Sequence, residues 1–354
     1  MKETVKINLG AKVLPLMMAL VSLAGCQREQ YKAQIAQFEQ NLHQLREKYQ
    51  IPGLSAAILK DQKVIYQGGI GYADIEAKIP ANVFTTYRIA SLTKPFTSVI
   101  VLQLADQNKL DPEKPVQNLL STNTYQQAAY YGAASSAQLK HYLSHSSQGI
   151  PGEQFQYNGA VYGRLCEIIE RASGQPFAQL LRTNIIRRLG MNHTLPYQED
   201  NSNPLALAKL ARPYQSNGQP GVYPSPMKAS CSAGMISNVV DLAKFDRALD
   251  RDQLLKPETK AKAFTAMRTQ QGQDLPYGLG WFVQHYQGRK LVWHYGYQPQ
   301  SFSSLILKVP EQSLTLILLA NSDGLSAPFP LGNGDVSQST FAKMFLDIFM
   351  PGAS

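Results

Sequence analysis

Apolar residues recur along this chain with two different periods, and the changes of period mark out its parts. Ile35, Phe38, Leu42, Leu45 and Tyr49 fall three or four residues apart, the spacing of one helix face that needs a partner to pack on. The runs at 54–59 and 64–68 are short and β-prone, and the polar stretch Lys60-Asp61-Gln62-Lys63 between them predicts a hairpin. Four more short runs, at 278–283, 290–293, 304–309 and 314–319, are each bounded by turn residues and read as antiparallel meander strands. Residues 340–349 return to the helical period. The stretch between these ends is rich in helix and loop, punctuated by Pro, Gly and Asn. The pattern predicts an α+β fold in which an antiparallel sheet, flanked by N- and C-terminal helices, is built from residues 31–86 and 271–354. A helical domain, residues 87–270, is inserted between them.

The first residues read as an address. Lys2, Lys6 and Lys12 precede a short apolar run at 13–23, which ends in Leu23-Ala24-Gly25-Cys26. A positive start, an apolar stretch too short for a stable membrane span and small residues before a cleavage point make an export signal over residues 1–25. A Cys directly after Leu-Ala-Gly resembles the bacterial lipobox, which implies lipidation at Cys26, a tether over 26–30 and a folded part over 31–354 outside the cytoplasm. An uncleaved helical anchor with an incidental Cys is the other reading. The uncharged Gln27 is similar to the outer-membrane class of lipoproteins, so the expected location is the cell envelope, on the periplasmic face of the outer membrane in a Gram-negative host.

Composition narrows the rest. A chain of 354 residues with 44% hydrophobic content can bury a sizeable core. The formal charge of +9 permits an anionic partner, but the basic residues are scattered and no zinc-finger, RNP-type or basic-helix pattern accompanies them, so no nucleic-acid partner is expected. With 3 Cys, a disulfide-rich scaffold and a Cys-based metal site are both disfavoured; Cys166 and Cys231 fit a pair in an oxidising compartment and buried free thiols equally well. The 6 His are dispersed, with no carboxylates at ligand spacing, so neither a metal nor another cofactor is expected. There is no Gly-x-Ser-x-Gly elbow and no Walker-type loop.

Three segments carry candidate chemistry. Ser91 stands close to the start of an apolar helix, where the positive end of the helix dipole favours an alkoxide, and Lys94 is one turn on along the same face. A neutral Lys there can take a hydroxyl proton if burial lowers its pKa; a serine N-cap beside a solvated lysine fits the same four residues. Tyr157 sits where a Pro-Gly loop runs into a helix, a junction at which a phenol can face a cleft. His294 and Gly296 stand at the end of a strand, with a glycine that lets a substrate backbone approach closely. Taken singly, Tyr157 also fits a core aromatic and His294 a satisfied strand-end histidine.

Ser91-Leu92-Thr93-Lys94, Tyr157-Asn158-Gly159 and His294-Tyr295-Gly296, in this order, together resemble the class C β-lactamase-related family, within the serine β-lactamase and penicillin-binding D,D-peptidase superfamily. The likeness extends through Gly71-Tyr72-Ala73-Asp74, Leu143-Ser144-His145-Ser146-Ser147, Ala233-Gly234-Met235 and Tyr277-Gly278-Leu279-Gly280-Trp281. It implies Ser91 as nucleophile, Lys94 as its partner in proton transfer, and Tyr157, as phenolate or phenol, as the group that activates Ser91 and later the deacylating water. It further implies substrate contacts from His294 and Gly296 on an edge strand, an oxyanion hole from the backbone N–H groups of Ser91 and Tyr297, and a substrate contact from Asn158, the amide nearest the family's usual position. Two departures stand out: the third position of the second motif is Gly159 rather than Asn, and His294 replaces a Lys, which weakens attraction for a substrate carboxylate. The expected activity is that of a lipid-anchored, monomeric serine hydrolase acting on D-amino-acid peptides, amides or esters, including peptidoglycan-derived ones. A class C-like β-lactamase and a non-catalytic peptidoglycan-binding lipoprotein are the alternatives.

Overall fold

The computed structural model describes residues 29–350, apart from 198, 199, 201, 216 and 223–229. The export signal over 1–25, Cys26 and the start of the tether lie outside the described residues. Helix α1 (Lys32–Lys48) leads into strands β1 (Gly53–Lys60) and β2 (Lys63–Asp74), the predicted hairpin. Four later strands, β6 (Phe282–Tyr286), β7 (Arg289–Gln298), β8 (Phe302–Val309) and β9 (Leu314–Ala320), complete the meander, and α11 (Thr340–Phe349) closes the chain. With the short β3 (Ile79–Pro80) they form one antiparallel sheet in the order β3-β2-β1-β9-β8-β7-β6. The two ends of the chain meet where β1 pairs with β9, from Leu54 opposite Ala320 to Lys60 opposite Leu314.

Strands β1, β8 and β9 are buried along nearly their whole length because both faces of the sheet are covered. The two-residue period sorts them. Leu54, Ala56 and Ile58 of β1 and Leu316 and Leu318 of β9 pack in the cluster shared with Phe38 of α1 and Phe345 of α11. Ala57, Leu59, Ile317 and Leu319 point the other way, into the cluster shared with the inserted helices. Phe38, fully buried, meets Tyr66, Phe345 and Phe349 edge-on, so the two terminal helices are held to each other and to the sheet by one aromatic contact set.

At the centre of the inserted part lies α2 (Thr93–Asp106), whose residues from Thr93 to Leu104 are all buried. A helix apolar on every side belongs inside a protein rather than on its surface. Around it pack α6 (Leu165–Ser173), α7 (Phe177–Leu181), α9 (Val239–Asp250) and α10 (Pro257–Ala263). Lys308 of β8, fully buried, reaches Asp246 and Asp250 of α9 and fastens the helices to the sheet by an ion-paired cluster. Among the described residues no helix is long and apolar enough to cross a membrane.

Candidate active site

Ser91 lies in a 3-10 turn, Ala90–Leu92, just ahead of α2 rather than within its first turn. The turn is bent sharply: Ala90 has φ +47, in the left-handed region that residues with a Cβ seldom enter. Such a conformation persists where its surroundings enforce it. Here the Ile89 carbonyl accepts from Leu92 N at 3.0 Å and from Ser304 Oγ at 2.9 Å, Ile89 N donates to the Met235 carbonyl at 3.0 Å, and Thr93 Oγ1 donates to the Ala90 carbonyl at 2.8 Å. Sheet, turn and helix thus fix the position of Ser91.

Lys94 is 1% exposed, which settles the ambiguity of Ser-x-x-Lys against a solvated lysine. Its Nζ donates to Ser91 Oγ at 3.0 Å and to the Ser232 carbonyl at 2.9 Å, and it lies over the rings of Tyr157 and Tyr162, 4.9 and 5.4 Å from their centroids. No carboxylate balances the ammonium among these contacts. Burial therefore pushes its pKa down from 10.5 to about 7, so a neutral amine stands beside a serine hydroxyl near physiological pH.

Tyr157 is brought to the same place from the start of α5 (Gly159–Tyr162). Its hydroxyl is buried and, among the described residues, makes no hydrogen bond of good geometry, although Ser91 lies near. Burial drives the phenol well above its ordinary pKa, Tyr295 adds to the rise, and the nearby Ser91 offsets only part of it. The expectation of a phenolate is corrected on this ground: in the free protein Tyr157 is a neutral phenol. Asn158 is corrected too. Its Oδ1 accepts from Val161 N at 3.0 Å as the N-cap of α5, and its Nδ2 donates to the Tyr131 carbonyl at 2.8 Å, so the amide serves the backbone rather than facing a substrate. A Cβ placed on Gly159 would lie 3.9 Å from Lys94 Nζ, with nothing else as near. Position 159 therefore points at the lysine, and the missing side chain leaves that space open.

The third segment differs most from expectation. His294 is fully buried within β7, its Nδ1 donating to the Tyr295 carbonyl at 2.7 Å and its Nε2 accepting from Tyr277 Oη at 2.8 Å. Burial holds it neutral, far below its ordinary pKa, and both nitrogens are engaged, so it is placed as a structural residue with no free nitrogen for a substrate. Gly296 is needed for close approach, but to the protein itself: a Cβ there would fall 2.2 Å from the Ile89 carbonyl oxygen and 2.3 Å from Ser304 Oγ. The glycine lets β7 lie against the turn that carries Ser91. β7 is an inner strand and not the edge strand expected, although its pairing with β6 stops at Trp293, short of residues 294–298. There Tyr297, 42% exposed, joins Ser91, Ala90, Ala233 and Gly234 around a cavity of about 100 Å³. This small space opens beside the Ser91 side chain. A larger cavity of about 970 Å³ lies at the opposite end of α2, lined by Leu102, Asp106, Lys109 and Met267, and none of Ser91, Lys94 and Tyr157 lines it.

A sequence profile of the beta-lactamase family matches residues 38–337. The chain belongs to the beta-lactamase family. Its curated relatives include penicillin-binding protein 4* of Bacillus subtilis, 26% identical over 79% of this chain and 70% of that protein. A D-aminopeptidase of Gluconobacter oxydans is 24% identical over 81% of this chain and 59% of that protein, so some relatives extend well beyond the part matched here. Among solved structures, D-alanine carboxypeptidase AmpC from Burkholderia cenocepacia matches with a TM-score of 0.71 over 88% of this chain and 99% of that one, at 18% identity, a likeness of fold. The beta-lactamase-related, penicillin-binding-protein-like fold expected from the three motifs is therefore the fold of this chain.

Sequence reasoning passed over several parts of this beta-lactamase-family site. Tyr162, whose Oη donates to the Lys94 carbonyl at 3.1 Å, is a second aromatic wall of the lysine's pocket, five residues beyond Tyr157. Cys166 and Cys231 are joined in a disulfide, Cα atoms 5.4 Å apart, which ties α6 to the segment whose Ser232 carbonyl holds Lys94. His145, one residue of the Leu143–Ser147 stretch, lies tilted against Tyr157 with ring centroids 4.3 Å apart. Only Tyr162 and Cys166 had a local signal, standing within ten residues of Tyr157; His145 is twelve residues before it and Cys231 is far from all three motifs.

Proposed function

We propose that this chain is a serine hydrolase that forms an acyl-enzyme through Ser91 on D-amino-acid peptide, amide or ester substrates. The observation that carries the reading is the 3.0 Å contact between Ser91 Oγ and a buried Lys94 whose pKa is lowered to about 7. Neutral Lys94 takes the Ser91 proton as Oγ attacks the substrate carbonyl. The oxyanion forms in the small cavity, against the N–H groups of Ser91 and Tyr297, where one donor is worth about 3 to 4 kcal/mol in the transition state. As the tetrahedral adduct collapses, the proton passes from Lys94 to the leaving amine or alkoxide. A water then attacks the ester with Lys94 and Tyr157 serving as proton carriers, and the acid departs.

The substrate class is supported by the relatives named as a D-aminopeptidase and a penicillin-binding protein. A neutral, fully engaged His294 offers no cation to a substrate carboxylate, which favours peptidase or esterase chemistry over efficient β-lactam hydrolysis. The address at the chain's start places the enzyme in the cell envelope, anchored by lipid at Cys26, with peptidoglycan-derived peptides within reach; Cys26→Ser should then release it to the soluble fraction. The catalytic reading is tested by treating the protein and Ser91→Ala with a fluorophosphonate or a fluorescent penicillin. Label on the wild type alone supports it. Equal labelling of both assigns the chain to ligand binding without covalent chemistry at Ser91.

A further inference from the structure

His145 has no part in the reaction just described, yet no other residue is tied so closely to Tyr157. Its carbonyl accepts from Gln156 N at 2.8 Å and its Nδ1 accepts from Asn158 N at 3.0 Å, so both neighbours of the tyrosine are bonded to one histidine. The ring lies against Tyr157 and Tyr162, at 4.3 and 5.1 Å between centroids, and these are the two rings that wall in Lys94. To reach this position His145 takes φ +54, in the left-handed region that residues with a Cβ seldom enter.

The chemistry of the ring separates His145 from a packing residue. It is 3% exposed, and burial together with the charge of Lys94 keeps the imidazole neutral. Because Nδ1 accepts a hydrogen bond, the proton resides on Nε2, and that buried N–H has no partner among the described residues. A buried donor left unpaired is destabilising, a cost that a plain hydrocarbon ring of the same size would avoid. His294 is the contrast within the same site, with both nitrogens satisfied.

We propose that His145 is the positioning residue for Tyr157: it clamps the backbone on either side of the tyrosine and sets the plane of its ring over Lys94 and toward Ser91. The proposal rests on the reading of Ser91 as nucleophile. Two substitutions divide the clamp from the packing. In His145→Asn, Oδ1 stands where Nδ1 stood and asparagine tolerates the left-handed backbone, so the bond from Asn158 N survives and the stack is lost. In His145→Phe the stack survives and the bond is lost.

The measurements are the second-order rate constant for fluorophosphonate labelling and the thermal midpoint of each variant. The Tyr157 ring walls in Lys94 at 4.9 Å, so a displaced tyrosine also shifts the amine that takes the Ser91 proton, and a misplacement of about 1 Å there costs up to about a hundredfold; His145→Phe should label at least about tenfold more slowly than wild type while His145→Asn stays within about threefold. The midpoints should run the other way, with Phe above Asn, because Phe keeps the buried ring. Labelling rates that follow the melting order, or a Phe variant labelled as fast as wild type, would overturn the proposal and leave His145 a packing residue. Failure of the wild type to label at all would instead remove the Ser91 reading, and this one with it.

Discussion

Burying a lysine without a carboxylate is a cost the fold bears for chemistry, and its size follows from the site. Lys94 has a pKa of 10.5 when solvated and about 7 in the folded chain. Below pH 7 both folded and unfolded chains hold the proton, and the folded state carries the full penalty of about 5 kcal/mol. As pH rises from 7 to 10.5 the unfolded chain still binds a proton that the folded chain has released, so stability climbs with pH, and above 10.5 the penalty is gone. Lys94→Met keeps the volume and removes the titration. Every other group is common to the two proteins, so their difference isolates Lys94. The variant should be inactive at every pH, and its stability relative to wild type should fall by about 3 kcal/mol between pH 6 and pH 9.5. Urea unfolding followed by tryptophan fluorescence at the two pH values measures it. A difference between variant and wild type that does not change with pH would mean that Lys94 stays protonated in the fold, and that a neutral amine is not what takes the Ser91 proton.

Other outcomes follow from neighbouring geometry. Labelling of Ser91 in the wild type should rise with pH through about 7 and level off, and Gly159→Asn, whose side chain starts 3.9 Å from Lys94 Nζ, should move that rise to higher pH because an amide oxygen accepting from the ammonium favours the charged form; an unmoved profile would show that position 159 does not reach the lysine. Gly296→Ala should slow labelling severely, since its Cβ would meet the Ile89 carbonyl at 2.2 Å and push β7 off the nucleophile turn, and unchanged kinetics would refute that packing role. Removing the Cys166–Cys231 bond, across a separation of 65 residues, should lower unfolding free energy by about 4 kcal/mol in the loop-entropy account, read as a shift in urea midpoint between the wild type and a Cys166→Ala, Cys231→Ala double variant. Replacing Lys308 by Met leaves Asp246 buried without its partner and should cost about 3 to 5 kcal/mol by the same measurement.

How far the sequence reached differs between fold and site. The terminal helices, the hairpin and the meander were legible because each has a strong local period, and Ile35, Phe38 and Leu42 had to face a sheet wherever that sheet lay. Ser91, Lys94 and Tyr157 were legible as types in order, and the structure brings all three together. Their ionisation was not. A pKa depends on what surrounds a group in three dimensions, and only the fold buries Lys94 and the Tyr157 phenol, lowering the one pKa and raising the other.

The two histidines carry the same lesson. His294 stood out in the sequence because it occupies a motif position, and the fold gives it two partners and no free nitrogen; His145 stood in an ordinary stretch, and the fold sets it against Tyr157 with one N–H unpaired. The pairing of Cys166 with Cys231 and the collision that Gly296 avoids are likewise contacts between segments far apart in the chain. Local periodicity and motif order, which are properties of neighbouring residues, determined the elements and the cast of the site. Burial, hydrogen-bond partners and protonation belong to distances across the chain, and tertiary structure alone decided them.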